Sequence, residues 1–155
     1  MKRIICIGNR FEPQDSAGSL VYDRLMETLL PPDVEVIDGG LAGLDLLHFL
    51  EGAQRVVFVD AVSGFDTPGG IAVLTAEQAA RSVGATFDHS AGLAYLLGSL
   101  NGALDGPVPE VFVVGIAGIP DHDTIMTAVD LALSITAEGY REGCRPAAPI
   151  SGDAR

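Results

Sequence analysis

Arg55 to Gly64 reads RVVFVDAVSG, and this stretch decides the fold. Val56, Val57, Phe58 and Val59 follow Arg55 without polar alternation, the pattern of a strand whose sheet is covered by helices on both faces. It predicts the central strand. Asp60 comes next, and the small residues Ala61, Ser63 and Gly64 predict that the chain leaves the sheet there in a loop. In open α/β sheets ligands bind beyond the carboxyl ends of the strands, so Asp60 stands where chemistry is usually done. The alternative is that Asp60 only caps the following turn.

Working outward, Arg3 to Ile7 reads as a first strand with Gly8-Asn9 as its turn. Ala17 to Leu30 carries Leu20, Val21, Leu25, Leu29 and Leu30 close to helical spacing, and Pro31-Pro32 ends that helix. Val34 to Ile37 is a second strand ending at Asp38-Gly39-Gly40, and Leu44 to Leu50 is a short helix that stops before Gly52. Beyond the central strand, Pro68-Gly69-Gly70 makes a turn into Ile71 to Leu74, a short edge strand for which antiparallel pairing is open. Leu93 to Leu104 is a helix with Ser90 as its N-cap, Val111 to Ile116 the last strand and Ile125 to Ala137 the last helix. The order βαβαββαβα predicts a three-layer α/β/α architecture around a mostly parallel twisted sheet of about five strands. Residues 1–140 read as a single α/β domain, and 141–155, rich in Pro, Gly and Ala, as a flexible tail.

The 155 residues are 48% hydrophobic and 19% charged, enough for a two-sided core. With 21 acidic against 9 basic residues the net charge is −12, which argues against nucleic acid or an anionic membrane as partner and favours a basic surface or a bound cation. The few aromatic residues are scattered and make no stacking platform for bases. The opening MKRIICIGN has an apolar run too short for a signal-peptide core, and no segment approaches a membrane span. Cys6 and Cys144 show no metal or disulfide spacing and read as unpaired thiols of a cytoplasmic protein.

Three loops hold the candidates for chemistry. Gly8 to Gly18 joins the first strand to the first helix, and it has neither GxGxxG nor GK[ST], so it is no phosphate loop. Its candidate is Asp15, with a helix N-cap as the alternative role. Asp60 opens the second loop. In the third, Asp88-His89-Ser90-Ala91-Gly92, His89 precedes a helix N-terminus, where the helix dipole keeps the ring neutral and able to bind a metal; an ordinary surface histidine is the alternative. Two carboxylates and an imidazole make a three-ligand site with open positions, suited to Zn or Ni more than Mg. His122, between Asp121 and Asp123, is a rival ligand but reads as part of a solvated loop with Asp123 capping the last helix. His48 reads as partly packed. Ser16, Ser63 and Ser90 have no recognisable paired base, and Cys6 is expected to be buried in the sheet.

Gly8-Asn9 followed by Asp15 and Gly18, then Asp38-Gly39-Gly40 with Ala42-Gly43, Val59-Asp60-Ala61, Pro68-Gly69, His89 with Gly92-Leu93, and Val114-Gly115-Ile116 form an ordered series from Ile4 to Ile116. Short as each motif is, the series resembles the nickel–iron hydrogenase maturation proteases. The resemblance implies a phosphorylase/hydrolase-like fold and a metal held by Asp15, Asp60 and His89. It also implies that the chain removes a C-terminal extension from a hydrogenase large-subunit precursor once nickel is installed. The nickel would then belong to the substrate, with zinc or cadmium as substitutes in vitro, and the protein would work as a cytoplasmic monomer. Departures from the family pattern are Gln14 in place of a second acidic residue, the bulkier Phe11-Glu12-Pro13, and Leu41 where a hydroxyl residue is usual. Glu12 is an alternative ligand to Asp15. Asp38-Gly39-Gly40 is a sound strand-to-helix turn on conformational grounds; in the functional reading it joins Gly8 and Asn9 in a cleft where an extended peptide approaches the backbone.

The leading expectation is therefore a metal-dependent endopeptidase with Asp15 and Asp60 as catalytic residues. Two mechanisms stay open: metal activation of the carbonyl or water, and an aspartic-type acid/base pair with nickel used for recognition. The alternatives are a non-catalytic metal- or peptide-binding α/β module, which a cleavage assay separates, and a small-molecule hydrolase, which an enclosed pocket in place of a groove would favour.

Overall fold

Lys2–Ile7 forms strand β1, its last four residues buried between helical layers. In this computed structural model, which describes residues 1–41, 44–63, 67–81, 86–87 and 91–140, a 3-10 turn at Pro13–Asp15 leads into helix α1, Ala17–Met26. Strand β2 is Val34–Gly40. A 3-10 turn at Leu44–Leu46 runs into the one-turn helix α2, Leu47–Leu50, and strand β3 follows at Arg55–Ser63. After the turn Pro68–Gly70 come β4, Ile71–Thr75, α3, Ala76–Ala80, and the two-residue β5, Thr86–Phe87. Helices α4, Ala91–Gly98, and α5, Leu100–Ala103, precede β6, Glu110–Ala117, and the long α6, His122–Glu138.

The strand order is β2-β1-β3-β6-β4. β1 is parallel to both β2 and β3, and β3 is parallel to β6, whereas the edge strand β4 runs antiparallel to β6. β1 pairs with β3 only as far as Cys6 opposite Val59, while β6 follows β3 to Val62. β5 then pairs antiparallel with Val62 and Ser63.

Both faces of the sheet are apolar, which is why the central run shows no alternation. On one face Ile4, Cys6, Val57, Val59, Val114 and Ile116 pack with Val21 and Leu25 of α1 and with Ala128, Ala132 and Ile135 of α6. On the other, Ile5, Ile7, Phe58, Val62 and Val113 pack with Leu46, Leu50, Leu93, Leu96 and Leu100. Each Val, Leu, Ile or Phe among them contributes about 1.5–3 kcal/mol by leaving water. The charged flank of the central strand also has a use: Arg55 donates to Glu110 at 2.6 Å and to the Thr136 carbonyl at 2.8 Å, tying the start of β3 to the end of α6.

The three-layer, mostly parallel architecture and the antiparallel edge strand agree with the sequence reading. The boundaries differ in ways that have physical reasons. Asp60 lies inside β3, not in a loop after it, because β6 continues to pair alongside. α1 stops at Met26, four residues before Leu30: the Glu27 amide and the Thr28 hydroxyl both turn back to the Arg24 carbonyl, leaving Leu29 96% exposed. β2 runs on through Asp38 and Gly39 to Gly40, with an irregular register after Cys6. The helix expected over Leu93 to Leu104 is two helices broken at Ser99. α3 and β5 were not expected. Ser90 and the tail 141–155 lie outside the described residues, and among those described no helix is long and apolar enough to cross a membrane.

Candidate active site

The chain leaves β1 and crosses by α1 to β2 on one side, then returns over β1 to β3 on the other. The carboxyl ends of β1 and β3 therefore flank a topological switch point, the position at which open α/β sheets hold ligands. Asp15 ends the 3-10 turn that follows β1, and that turn packs against β3. Asp60 is in β3 one residue beyond the last β1 pair, opposite Gly115 of β6. Both aspartates are wholly buried.

Asp15 is not a helix cap. Ser16 occupies the N-cap position of α1 without a side-chain cap bond, and its hydroxyl donates instead to the Pro13 carbonyl at 2.9 Å. Asp60 does hold local backbone, since its Oδ1 accepts the Ala61 amide at 2.8 Å. This bond falls within the strand and so differs from the turn cap considered from sequence.

The loop carrying Asp15 is pinned by main-chain bonds. The Asn9 amide donates to the Asp15 carbonyl at 2.8 Å, and the Asp15 amide donates to the Glu12 carbonyl at 2.8 Å. Gly8 has φ +154°, and a Cβ there would fall 2.5 Å from the Asp15 carbonyl oxygen; only glycine lets the chain close so tightly. The Gly8 amide also donates to the Gly40 carbonyl at 2.9 Å, and Asp38 Oδ1 accepts the Gly40 amide at 3.1 Å. These bonds bring Gly8, Asn9, Asp38, Gly39 and Gly40 together at the ends of β1 and β2. A Cβ on Gly40 would meet nothing within 4 Å, so backbone is open to approach there. Glu12, the alternative ligand, is exposed.

His89, with Asp88, lies outside the described residues. Among those described, no three His, Cys, Asp or Glu side chains gather into a metal-binding cluster. The donor chemistry of Asp15 and Asp60 nevertheless suits a divalent cation, because each is a carboxylate removed from water and the turn that carries Asp15 packs against the strand that carries Asp60. The rival histidine is corrected in position and surroundings: His122 is the first residue of α6, with Arg24 Nη2 3.3 Å from its Nδ1. Asp121, and not Asp123, caps that helix, its Oδ1 accepting the Thr124 amide at 2.8 Å. A guanidinium against the ring and a carboxylate engaged in capping make a poor cation site. Cys6 is buried as expected, and burial, followed by the Asp38 and Asp23 carboxylates, pushes its thiol far above the usual range; a thiol so held is no nucleophile.

Sequence reasoning gave Gly18 no role beyond its motif. In the structure it is the second residue of α1, where a Cβ would fall 2.0 Å from the Ile7 carbonyl oxygen. It is the point at which the helix behind Asp15 touches the end of β1. A glycine just inside a helix start was the available signal.

Residues 20–134 match the family model HycI, hydrogenase maturation protease. The hydrogenase 2 maturation protease of Escherichia coli strain K12 is 27% identical over 157 residues, covering 94% of each chain. The hydrogenase expression/formation protein HupD of Rhodobacter capsulatus is 35% identical over 83 residues, which is 53% of this chain and 40% of that protein. Among solved structures, the hydrogenase maturating endopeptidase HybD from E. coli has the same fold, with a TM-score of 0.70 at 24% identity over 88% of this chain and 92% of that one. The family model spans residues 20–134, most of the chain, so this chain belongs to the hydrogenase maturation protease family, a family of peptidases.

Proposed function

We propose that this chain is a cytoplasmic, monomeric endopeptidase that removes the C-terminal extension of a nickel-loaded hydrogenase large subunit. The observation that carries this reading is the presence of two wholly buried carboxylates, Asp15 and Asp60, on the elements that flank the β1/β3 switch point of a maturation-protease fold. Nickel arrives as part of the substrate and is held by Asp15, Asp60 and His89, a carboxylate and imidazole set that suits a borderline divalent ion. Zinc or cadmium takes its place in vitro. When bound, the ion supplies a Lewis acid beside the scissile carbonyl. Two carboxylates attract a dication strongly in a site of low dielectric, so the loaded precursor is selected over the empty one.

The chain's own residues then divide the work of hydrolysis. Water adds to the scissile carbonyl carbon and the C–N bond breaks, leaving a carboxylate on the large subunit and an amine on the released extension. With both aspartates ionised against the nickel, one of them takes a proton from the attacking water and delivers that same proton to the departing nitrogen. Gly8, Asn9, Asp38, Gly39 and Gly40 receive the extended segment, with the bare backbone at Gly40 allowing main chain to come close.

The test is incubation of purified nickel-loaded precursor with the wild type and with Asp60→Asn, read by mass spectrometry. The wild type is expected to yield one shortened product, and the variant to cut about 10²–10⁴-fold more slowly, the usual worth of a general acid or base. A precursor that stays full length with the wild type, yet is processed by an active homologue, overturns the reading and favours the non-catalytic module.

A further inference from the structure

Among the described residues, most of the large apolar side chains left in water fall at the two ends of the sheet, with Leu20 on α1 apart from them. Met1, Met26, Leu29 and Val108 lie toward the amino ends of the parallel strands, while Phe11, Leu41 and Ile119 follow β1, β2 and β6 at the carboxyl end, where Asp15 and Asp60 lie. Phe11 is 88% exposed, Ile119 63% and Leu41 54%. All three are on anchored loops. Asn9 Oδ1 accepts the Phe11 amide at 3.0 Å, the Gly8 to Gly40 bond ties the Phe11 loop to the Leu41 loop, and Gly118, at φ +67°, sets the turn that presents Ile119. The strand order puts Phe11 and Leu41 on one side of the β1/β3 crevice and Ile119 on the other, with β6 about 10 Å of sheet from β1 and about 14 Å from β2 at the usual strand spacing.

Apolar groups on the rim of a crevice, held in place and unused by the core, mark a contact surface. The exposed carboxylates Glu12 and Asp121 lie on these loops, and the exposed Asp38 lies at the end of β2 beside them. The cation among them, Arg10, is bound to Asp23 at 3.1 Å. We infer that Phe11, Leu41 and Ile119 form the docking rim for the body of the hydrogenase large-subunit precursor, gripping an apolar patch that is ringed by lysine and arginine beside the segment to be cut. The inference rests on the proposed function and adds to it the residues that choose the partner. Charge complementarity names the occupant's chemistry: a chain of net charge −12 with acidic loops around an apolar rim repels an acidic partner and steers a basic one.

The experiment measures binding and cutting separately. Dissociation constants for immobilised nickel-loaded precursor are determined by interferometry in the Asp60→Asn background, for that protein alone and with Phe11→Ala, Leu41→Ala, Ile119→Ala or, as a control at the opposite end, Leu29→Ala. Each rim variant is expected to weaken binding about tenfold, as loss of an anchoring side chain does, with the melting temperature unchanged; Leu29→Ala is expected to bind as the parent does. Equal affinities for all proteins, an equal loss in Leu29→Ala, or no binding at all overturns the docking rim. Cleavage by the Asp60 protein is scored in parallel. Rim-dependent binding without cleavage sinks the protease reading and keeps the rim, whereas cleavage with rim variants that bind normally does the reverse.

Discussion

Replacing Gly18 by alanine adds one methyl group at the joint between scaffold and site. That carbon would stand 2.0 Å from the Ile7 carbonyl oxygen, 2.8 Å from its carbonyl carbon and 2.9 Å from its amide nitrogen. All three are backbone atoms, so no side-chain rotation relieves the overlap, and helix and strand must part by about 1 Å or more. Ile7 resists retreat, because it pairs with Gly40 of β2 and follows Cys6, which is held between β2 and β3. The helix must move, lifting Val21 and Leu25 from Ile4 and Val59. Overpacking of this kind costs about 3 kcal/mol, the upper part of its usual range. In a chain of this size that lowers the melting temperature by about 6–12 °C. Asp15, three residues earlier, shifts with the helix, and a displacement near 1 Å at a reacting group costs about 100-fold in rate. The assay is thermal unfolding by far-ultraviolet circular dichroism alongside precursor cleavage. Gly102→Ala is the control: it lies in α5 with nothing within 4 Å of the new methyl, and it should raise the melting temperature by about 1–4 °C. A Gly18→Ala protein that melts within about 2 °C of the wild type refutes the argument that this contact fixes the helix on the strand.

Calorimetric titration of nickel or zinc should give one site in the wild type and weaker binding in each of Asp15→Ala, Asp60→Ala and His89→Ala; loss confined to His122→Ala would show the ligand assignment to be wrong. Bonds from the Thr124 amide hold the Asp121 carboxyl below its ordinary value of 3.8, so its contribution is complete above that value and lost as pH falls through the lowered one. Asp121→Ala should therefore lower the melting temperature at pH 7, and the gap should close in strong acid; a gap independent of pH contradicts the capping role. In a Cys144→Ser background, Cys6 should react with a thiol reagent at pH 8 only as fast as the protein opens, because burial disfavours the thiolate. Fast labelling of the native state would disprove that.

The layers and most of the elements were legible because RVVFVD can only be a strand covered on both faces and because the helices keep their period. The end of the central strand was not. Asp60 reads as a terminator by propensity, but pairing of Asp60 with Gly115 and Ala61 with Ile116 carries the strand onward, and pairing partners are not written locally. α3 does have a local signature: Thr75 and Gln78 form a reciprocal capping box, with bonds of 3.1 and 2.9 Å. Of the candidate site, the identities of Asp15 and Asp60 were readable, whereas their position at a switch point depends on strand order. The tie from Gly8 to Gly40 is equally invisible in sequence, since it joins residues far apart along the chain.

Asp60 belongs to a strand bonded to β6 along its length, whereas Phe11 and Leu41 follow β1 and β2 and belong to neither hydrophobic core. These two kinds of position face different evolutionary constraints. A substitution at Asp60 disturbs the most buried part of the molecule together with its chemistry, so few are survivable. A change at Phe11 or Leu41 leaves folding untouched and alters only which surface is gripped. A duplicated copy of such a gene can therefore drift toward a new client one loop residue at a time, without passing through an unstable or inert intermediate.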